Sequence, residues 1–123
     1  MKASIIITTM NRAHLMAERA LKSALNQTFR DYEVIVIDDG GTDNTPEVVG
    51  VYMKKHKNLR YYKSLVNKGL SWARNYGVGL ARGEYVVCLD DDKELMPTFL
   101  EKTVKKMEAM RKIEARAAAV SVG

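Results

Sequence analysis

Carboxylates cluster directly after two runs of strand-forming residues in this sequence. Residues 85–89 (YVVCL) lead into the triplet 90–92 (DDD), and residues 33–37 (EVIVI) lead into the pair 38–39 (DD). Adjacent like charges repel each other, so a carboxylate triplet at the end of a buried strand requires a positive partner. Mg²⁺ and Mn²⁺ take hard oxygen ligands and are usually held by one or two carboxylates together with substrate phosphates. The pattern therefore predicts a divalent cation bound with an anionic ligand.

A plainer alternative exists for the acidic pair. Residues 38–41 (DDGG) are typical of a turn, and carboxylates are favourable near the start of a following helix. That alternative does not account for the triplet. All the aspartates except Asp31 lie in the two loops that follow these strands, which favours a ligand site.

Strand-like runs alternate with longer helical stretches, which is typical of βαβ units and a parallel sheet. In open α/β sheets, ligands bind outside the carboxyl ends of the strands, near the point where the strand order reverses. Thr8, Thr9 and Asn11 follow the first predicted strand, as the acidic clusters follow the second and fourth. If these three strands are neighbours, we expect all three loops to converge on one crevice.

The predicted elements form an α/β fold with a mostly parallel sheet and helices on both of its faces. Strands are expected near 3–8, 33–37, 58–62 and 84–89, and helices near 12–26, 44–53, 70–80 and from Pro97 onward. Asn11 is predicted to cap the first helix, and Asn44 the second. Residues 117–123 (AAAVSVG) resemble the start of a fifth strand, which indicates the front part of a larger fold.

Length and composition are those of an ordinary one-domain globular protein. With 123 residues, the chain could bury about two-thirds of its unfolded surface. The formal charge of +5 favours anionic partners. The basic segments contain no recognised nucleic-acid motif, so we expect no nucleic-acid partner. The sequence contains no secretory signal and no run of about 20 apolar residues, so we expect no transmembrane segment.

The single cysteine indicates a reducing compartment. Cys88 lies inside the fourth predicted strand, where we expect a small buried hydrophobic side chain and not a catalytic thiol. One cysteine excludes an internal disulfide, which suits a cytoplasmic protein.

Several segments of the chain, in order, resemble family 2 glycosyltransferases of the GT-A fold. The matching segments are residues 4–12 (SIIITTMNR), 21–29 (LKSALNQTF), 33–45 (EVIVIDDGGTDNT), 67–69 (NKG), 73–75 (ARN), 83–85 (GEY) and 90–92 (DDD). Their order and spacing make the resemblance specific, whereas a lone Asp-x-Asp pattern would be weak. The resemblance implies a single domain over residues 1–123, the Rossmann-like nucleotide-binding half of the GT-A fold.

The resemblance also implies an inverting sugar transfer from a nucleotide-diphosphate sugar, with Mn²⁺ or Mg²⁺ on the diphosphate. We expect the donor to be a UDP-sugar. By position, Asp92 is the metal ligand, Asp38 accepts a hydrogen bond from the base, and Arg74 neutralises phosphate. Asp90 lies near the ribose, and Thr8 lines the nucleotide pocket. The residues expected at the nucleotide are Thr8, Thr9, Asn11, Asp38, Asp39, Arg74, Asp90 and Asp91.

In this family, the catalytic base and the acceptor site lie in a second half that the sequence does not contain. The resemblance therefore assigns no catalytic residue to this chain, and we expect the chain alone to be inactive. The acceptor, a saccharide or a lipid-linked group, is left open. Met10 stands where the family usually has an aromatic residue, which bears on how a base would stack.

Two alternatives belong to other functional classes. A phosphoacceptor signalling domain also binds Mg²⁺ through an acidic cluster, but it needs carboxylates after its first and third strands. Here Thr8 and Thr9 follow the first strand, and Lys63 and Ser64 follow the third. The other alternative is a non-catalytic module that self-associates through an exposed sheet edge.

Overall fold

The computed structural model describes the backbone of residues 1–122 and the side chains of residues 1–113. Within this part of the chain, the strands are β1 (Ala3–Thr9), β2 (Tyr32–Asp39), β3 (Leu59–Ser64) and β4 (Tyr85–Asp90). The helices are α1 (Ala13–Met16), α2 (Lys22–Leu25), α3 (Thr45–Lys55), α4 (Leu70–Leu80) and α5 (Phe99–Val122). A π-helical turn, Ala17–Leu21, joins α1 to α2. Residues 13–25 therefore form one continuous helix, called the first helix below.

The strands form a parallel sheet in the order β3-β2-β1-β4. The chain steps outward from β1 to β3 and then crosses back, so the strand order reverses between β1 and β4. Thr8 lies opposite Ile37 of β2 and Asp90 of β4, which brings the carboxyl ends of three strands level with one another. The predicted α/β fold is confirmed, and the first, second and fourth strands are neighbours.

Apolar side chains of the strands pack on both faces of the sheet. On one face, Ile5 and Ile7 pack against the first helix, α3 and α5. The buried members of this larger cluster are Ala3, Ile5, Ile7, Met16, Ala20, Leu21, Ala24, Tyr32, Val34, Val36, Val49, Leu59, Leu89, Leu100 and Val104. On the other face, Ile6 packs with Ile35, Ile37 and Ala73 of α4. Fully burying one such aliphatic side chain contributes about 1.5–3 kcal/mol to the free energy of unfolding. Both layers therefore stabilise the sheet.

Helix α4 approaches the sheet closely at Gly77. A Cβ atom at this position would lie 2.3 Å from Cγ2 of Ile6 and 3.3 Å from Cγ1 of Ile37. Only glycine avoids these contacts, so its absence of a side chain lets α4 lie directly on β1 and β2. The first turn of α4 is thereby held at the carboxyl ends of these strands.

Strand β4 lies at the edge of the sheet, and one of its faces is uncovered. Leu89 is buried in the larger cluster, whereas Val86 and Cys88 point to the opposite face and are exposed. On that face, α4 packs over β1 and β2. The prediction that Cys88 is a buried hydrophobic residue is therefore wrong, because an apolar run does not reveal which strand lies at the edge.

The helices that follow β1 and β2 share one capping residue. Oδ2 of Asp43 accepts a hydrogen bond from the backbone N–H of Ala13 at 3.1 Å. Oδ1 of Asp43 accepts from the backbone N–H and the hydroxyl of Thr45, at 3.1 and 2.6 Å. The side chains of Asn11 and Asn44 make no cap to these helices, so both predicted caps are wrong. A carboxylate that serves two helix starts cannot be found from local sequence spacing.

The predicted fifth strand is also wrong. The 24-residue α5 extends to Val122 and includes the alanine-rich stretch. Alanine has the highest helix propensity, so this stretch continues the preceding helix. Gly123, the last residue of the predicted strand, lies outside the described residues. Neither α5 nor any other helix in the described part of the chain has the apolar length needed to cross a membrane.

Candidate functional site

A cavity of about 490 Å³ opens at the carboxyl ends of β1 and β4, where the strand order reverses. The ends of β1, β2 and β4 and the start of α4 contribute to its wall. The lining residues are Thr8, Thr9, Met10, Arg12, Asp39, Asn67, Gly69, Leu70, Ala73, Asp90, Asp91 and Asp92. The structure therefore brings most of the predicted site residues together, whereas Asn11, Asp38 and Arg74 lie outside the lining.

Asp91 is the most enclosed member of the acidic triplet, with a side chain that is 8% exposed. Its Oδ2 accepts a hydrogen bond from the Thr9 hydroxyl at 3.0 Å, and its Oδ1 lies 3.0 Å from Nη1 of Arg12. Burial raises the pKa of Asp91, and the charges of Asp92 and Asp90 raise it further against the opposing effects of Thr9 and Arg12. Ionisation of Asp91 is therefore disfavoured chiefly by its burial, and a cation bound nearby would favour the charged form.

Asp90 is held by Arg74. Nη2 of Arg74 donates a hydrogen bond to Oδ1 of Asp90 at 2.8 Å, and both side chains are close to half exposed. Because exposed ion pairs contribute at most about 1 kcal/mol, this contact orients Asp90 more than it stabilises the fold. Arg74 thus reaches the site through Asp90, and its role at a phosphate stays a prediction.

Asp92 is the unpaired carboxylate of the triplet. It lines the cavity, and no side chain among residues 1–113 donates a hydrogen bond to its carboxylate or forms an ion pair with it. In the described part of the chain, no three His, Cys, Asp or Glu side chains are arranged to hold a metal by themselves. A cation at Asp92 would therefore need further oxygens from a bound ligand, which is the usual arrangement for Mg²⁺. Asp92 fits a cation that arrives with a diphosphate.

Asp39 accepts hydrogen bonds from backbone groups at the start of α4. Its two carboxylate oxygens accept hydrogen bonds from the backbone N–H groups of Lys68 and Gly69, each at 2.8 Å. Gly69 has φ 99°, a backbone conformation that favours glycine. These bonds fasten the end of β2 to the start of α4 and leave Asp39 as a fixed part of the cavity wall.

Asp38 is fully buried behind the cavity. One of its oxygens accepts a hydrogen bond from the backbone N–H of Gly41 at 3.1 Å, and the other accepts from the hydroxyl of Tyr61. Burial, followed by the hydrogen bond to Asp38, raises the pKa of Tyr61 well above its usual range, so the hydroxyl remains a donor. The role of Asp38 at a nucleotide base stays a prediction, and because the residue is fully buried, that role requires a rearrangement that brings one of its oxygens to the cavity.

Asn11 links the first two loops of the site. Its backbone has φ 55°, a conformation that asparagine adopts more readily than most residues. Its Oδ1 accepts hydrogen bonds from the backbone N–H groups of Thr42 and Asp43, at 2.7 and 3.1 Å. Asn11 therefore shapes the loops that follow β1 and β2, and its contact with a nucleotide stays a prediction.

Sequence reasoning missed part of the cavity wall. Arg12 was not assigned a role, although it directly follows Asn11 in the matched segment and is the cation that faces Asp91. Asn67, Gly69 and Leu70 were likewise unassigned. Asn67 and Gly69 belong to a matched segment, which was the available signal. The folded chain shows why they matter, because it places the start of α4 beside β1.

The profile of one protein family, Glycosyl transferase family 2, matches residues 4–116 of the chain. A GalNAc(5)-diNAcBac-PP-undecaprenol beta-1,3-glucosyltransferase from Campylobacter jejuni is 40% identical over 106 residues, which are 85% of this chain and 34% of that protein. A cholesterol galactosyltransferase from Borreliella burgdorferi is 37% identical over 108 residues, which are 88% of this chain and 30% of that protein. The chain spans about a third of the length of these relatives.

Solved structures share the same fold. The crystal structure of S. aureus TarS 1-349 in complex with UDP has a TM-score of 0.81 and 31% identity, over 89% of this chain and 32% of that one. The mannosyltransferase PcManGT from Pyrobaculum calidifontis, in complex with GDP-Man and Mn²⁺, has a TM-score of 0.68 and 30% identity. This second match covers 74% of the present chain and 27% of the other.

Proposed function

Because this chain belongs to glycosyl transferase family 2, we propose that it is the donor-binding part of an inverting glycosyltransferase. The donor in this proposal is a nucleotide-diphosphate sugar, with UDP as the nucleotide. The UDP bound in TarS supports the choice of nucleotide. The observation that carries the proposal is the convergence of Thr8, Thr9, Asp39 and the acidic triplet on one cavity.

The size of the cavity is compatible with this ligand. Its volume of about 490 Å³ lies within the roughly 300–1,000 Å³ that is common for small-molecule sites. Thr8 and Thr9 would contact the nucleotide from the end of β1, and Asp90 would accept a hydrogen bond from the ribose. An ionised carboxylate acts only as an acceptor, which suits the hydroxyl groups of a ribose.

The charges at the cavity explain why a metal belongs to the proposal. Arg12 offsets Asp91 and Arg74 offsets Asp90, which leaves Asp92 as the uncompensated carboxylate. Asp92 would hold Mn²⁺ or Mg²⁺ together with the diphosphate oxygens. When bound, the cation would supply Lewis-acid stabilisation of the diphosphate leaving group.

The remaining parts of the reaction are assigned outside this chain. Among the described residues, each carboxylate at the cavity is hydrogen-bonded, ion-paired or reserved for the cation, so we assign none of them as the general base. We therefore expect the chain alone to bind donor without transferring its sugar to an acceptor. A cytoplasmic location, where nucleotide sugars and reduced thiols are found together, completes the proposal.

The test is calorimetric titration of the chain with UDP in the presence of Mn²⁺ and, separately, in EDTA. Wild-type protein should bind UDP more tightly with Mn²⁺, and Asp92→Asn should lose this gain without a change in shape. Asp31→Asn is the matched control, because Asp31 is an exposed aspartate away from the cavity. Absence of UDP binding by the wild type under both conditions, or an Asp92→Asn variant that behaves like wild type, refutes the proposal.

A second candidate role is self-association through β4. The unpaired edge of this strand and the exposed Val86 and Cys88 support it, because exposed edges are templates for pairing. Light scattering after size exclusion should then give a dimer, and Val86→Lys should give a monomer. A wild-type monomer at high micromolar concentration would rule this role out.

A further inference from the structure

Three polar residues spaced four apart lie along the first helix and just beyond its end: Arg19 and Ser23 belong to the helix, and Gln27 follows its last residue, Leu25. Arg19, Ser23 and Gln27 all hydrogen-bond to the segment that begins at the last residue of the acidic triplet, residues 92–100. Helical residues at this spacing lie on the same side of a helix, as Arg19 and Ser23 do, and Gln27 is tied to the same side by its hydrogen bond to the Ser23 carbonyl. We call these three residues the anchoring row.

Gln27 makes the largest number of contacts in the anchoring row. Its Nε2 donates to the backbone carbonyl of Met96 at 2.9 Å, and its Oε1 accepts from the backbone N–H of Leu100 at 2.9 Å. The same Nε2 also donates to the carbonyl of Ser23 at 3.0 Å, which fixes the amide against the end of the first helix. One side chain therefore satisfies the backbone both before and after the start of α5.

Ser23 and Arg19 hold the part of the segment nearer the acidic triplet. The Ser23 hydroxyl accepts from the backbone N–H of Leu95 at 3.0 Å and donates to the carbonyl of Ala20 at 3.0 Å. Arg19 lies in the π-helical turn, and its Nη1 donates to the carbonyl of Asp92 at 3.5 Å. Such π-helical turns occur often at functional sites.

The backbone around Asp92 is held by hydrogen bonds on both sides. On one side, the backbone N–H of Lys93 donates to the carbonyl of Asp90 at 3.1 Å, which ties the turn to β4. On the other side, Leu95 is held by Ser23 only three residues beyond Asp92. The carboxylate of Asp92 has no side-chain partner among residues 1–113, so its position depends on this backbone.

We propose that the anchoring row positions the Asp92 carboxylate and thereby sets how strongly a divalent cation enhances nucleotide binding. This inference rests on the proposed function, because it takes Asp92 as the metal ligand. Groups that orient a metal ligand from behind commonly change metal affinity 10–100-fold when they are removed. The anchoring row acts through the backbone, so its members are positioning residues.

The test compares UDP affinity with Mn²⁺ and with EDTA for each variant, by the same calorimetric titration. The ratio of the two dissociation constants is the metal gain. Ser23→Ala and Gln27→Ala should each reduce the metal gain about tenfold, while the affinity measured in EDTA stays within twofold of wild type. Ser23→Thr keeps the hydroxyl and should restore the gain. Arg19→Ala should reduce it less, since its contact is longer and exposed.

Two control variants share the location of the anchoring row but lack its contacts with residues 92–96. Thr28→Val removes a hydroxyl that bonds to Pro97 and Glu101, farther along the segment. Lys22→Ala removes a side chain whose ion pair is with Glu18. Both should keep the wild-type metal gain.

The outcomes separate this inference from the proposed function. If Asp92→Asn loses the metal gain but Ser23→Ala and Gln27→Ala keep it, the inference is wrong and the proposed function stands. If the two alanine variants weaken binding equally with and without Mn²⁺, their role is general stability and the inference is also wrong. If the wild type shows no metal gain, the proposed function and this inference are both refuted. Arg19 is exposed, so Arg19→Ala supplies a folded variant should the other two be unstable.

Discussion

Replacing Glu33 with glutamine should strongly destabilise the fold without changing the cavity. Glu33 is 2% exposed and lies on β2, toward the amino ends of the strands. Its carboxylate accepts from the Ser4 hydroxyl at 2.6 Å, from the backbone N–H of Arg82 at 2.6 Å, and from Nη2 and Nε of Arg60 at 2.6 and 3.1 Å. Glutamine keeps the shape but leaves the Arg60 guanidinium without its counter-charge.

The size of the effect follows from this geometry. Removing one partner of a buried ion pair costs about 3–5 kcal/mol. The Arg60 side chain is 21% exposed, so water can solvate part of its charge, and we expect the lower end, about 3 kcal/mol. That is a large share of the roughly 5–15 kcal/mol by which native proteins are stable.

Urea unfolding monitored by circular dichroism measures this change. With a slope of about 2 kcal/mol per molar urea, the Glu33→Gln midpoint should fall by about 1.5 M. UDP affinity at low temperature should stay at the wild-type value, because Glu33 lies at the opposite end of the sheet from the cavity. The double variant with Arg60→Met should recover about 1 kcal/mol, since it removes the unpaired cation.

Two results would refute the reasoning. A loss of stability below about 1 kcal/mol for Glu33→Gln would mean that water, and not the Glu33 carboxylate, stabilises the Arg60 charge. A double variant whose loss equals the sum of the two single losses would mean that the pair is not coupled.

Other predictions test the packing, the shared cap and the pH response. Gly77→Ala should lose about 1–3 kcal/mol in urea unfolding, because the added methyl group overlaps Ile6; Gly79→Ala, which meets no neighbour, is its control and should be neutral or stabilising. Asp43→Ala should lose about 2 kcal/mol, since two helix starts lose a cap of about 1 kcal/mol each. Hydrogen bonds and the Arg60 charge outweigh burial and lower the pKa of Glu33, so its stabilisation is present above pH about 4.5 and is lost as pH falls through the folded-state pKa. Wild type should therefore lose more stability than Glu33→Gln between pH about 5 and 3.

The sequence carried enough information to predict the sheet and the meeting of its loops. Continuous apolar runs predicted buried parallel strands, and the side chains that end them had to meet once β1 lay between β2 and β4. Thr8, Thr9 and the acidic triplet were found on that basis. Their convergence depends on backbone topology, which hydrophobic patterns largely determine.

What the sequence could not predict depends on long-range contacts. The exposure of Cys88 follows from the position of β4 at the sheet edge, because α4 packs mainly over β1 and β2. Asp38 of β2 accepts a hydrogen bond from Tyr61 of β3, so a side chain that was predicted to contact a ligand bonds within the protein. The alanine-rich end is predicted as a strand but is helical, because a short apolar run fits either element. The importance of Arg12 follows from its ion pair with Asp91, which is 79 positions away in the sequence.

The shared cap at Asp43 has a consequence for how this chain could diversify. One carboxylate holds the turns after both β1 and β2. A change in the length or sequence of either turn would therefore break the hydrogen bonds that hold the other. Anyone transplanting a donor pocket from a relative would have to move the two turns as a pair, with the aspartate included. Natural drift at either turn would be subject to the same restriction.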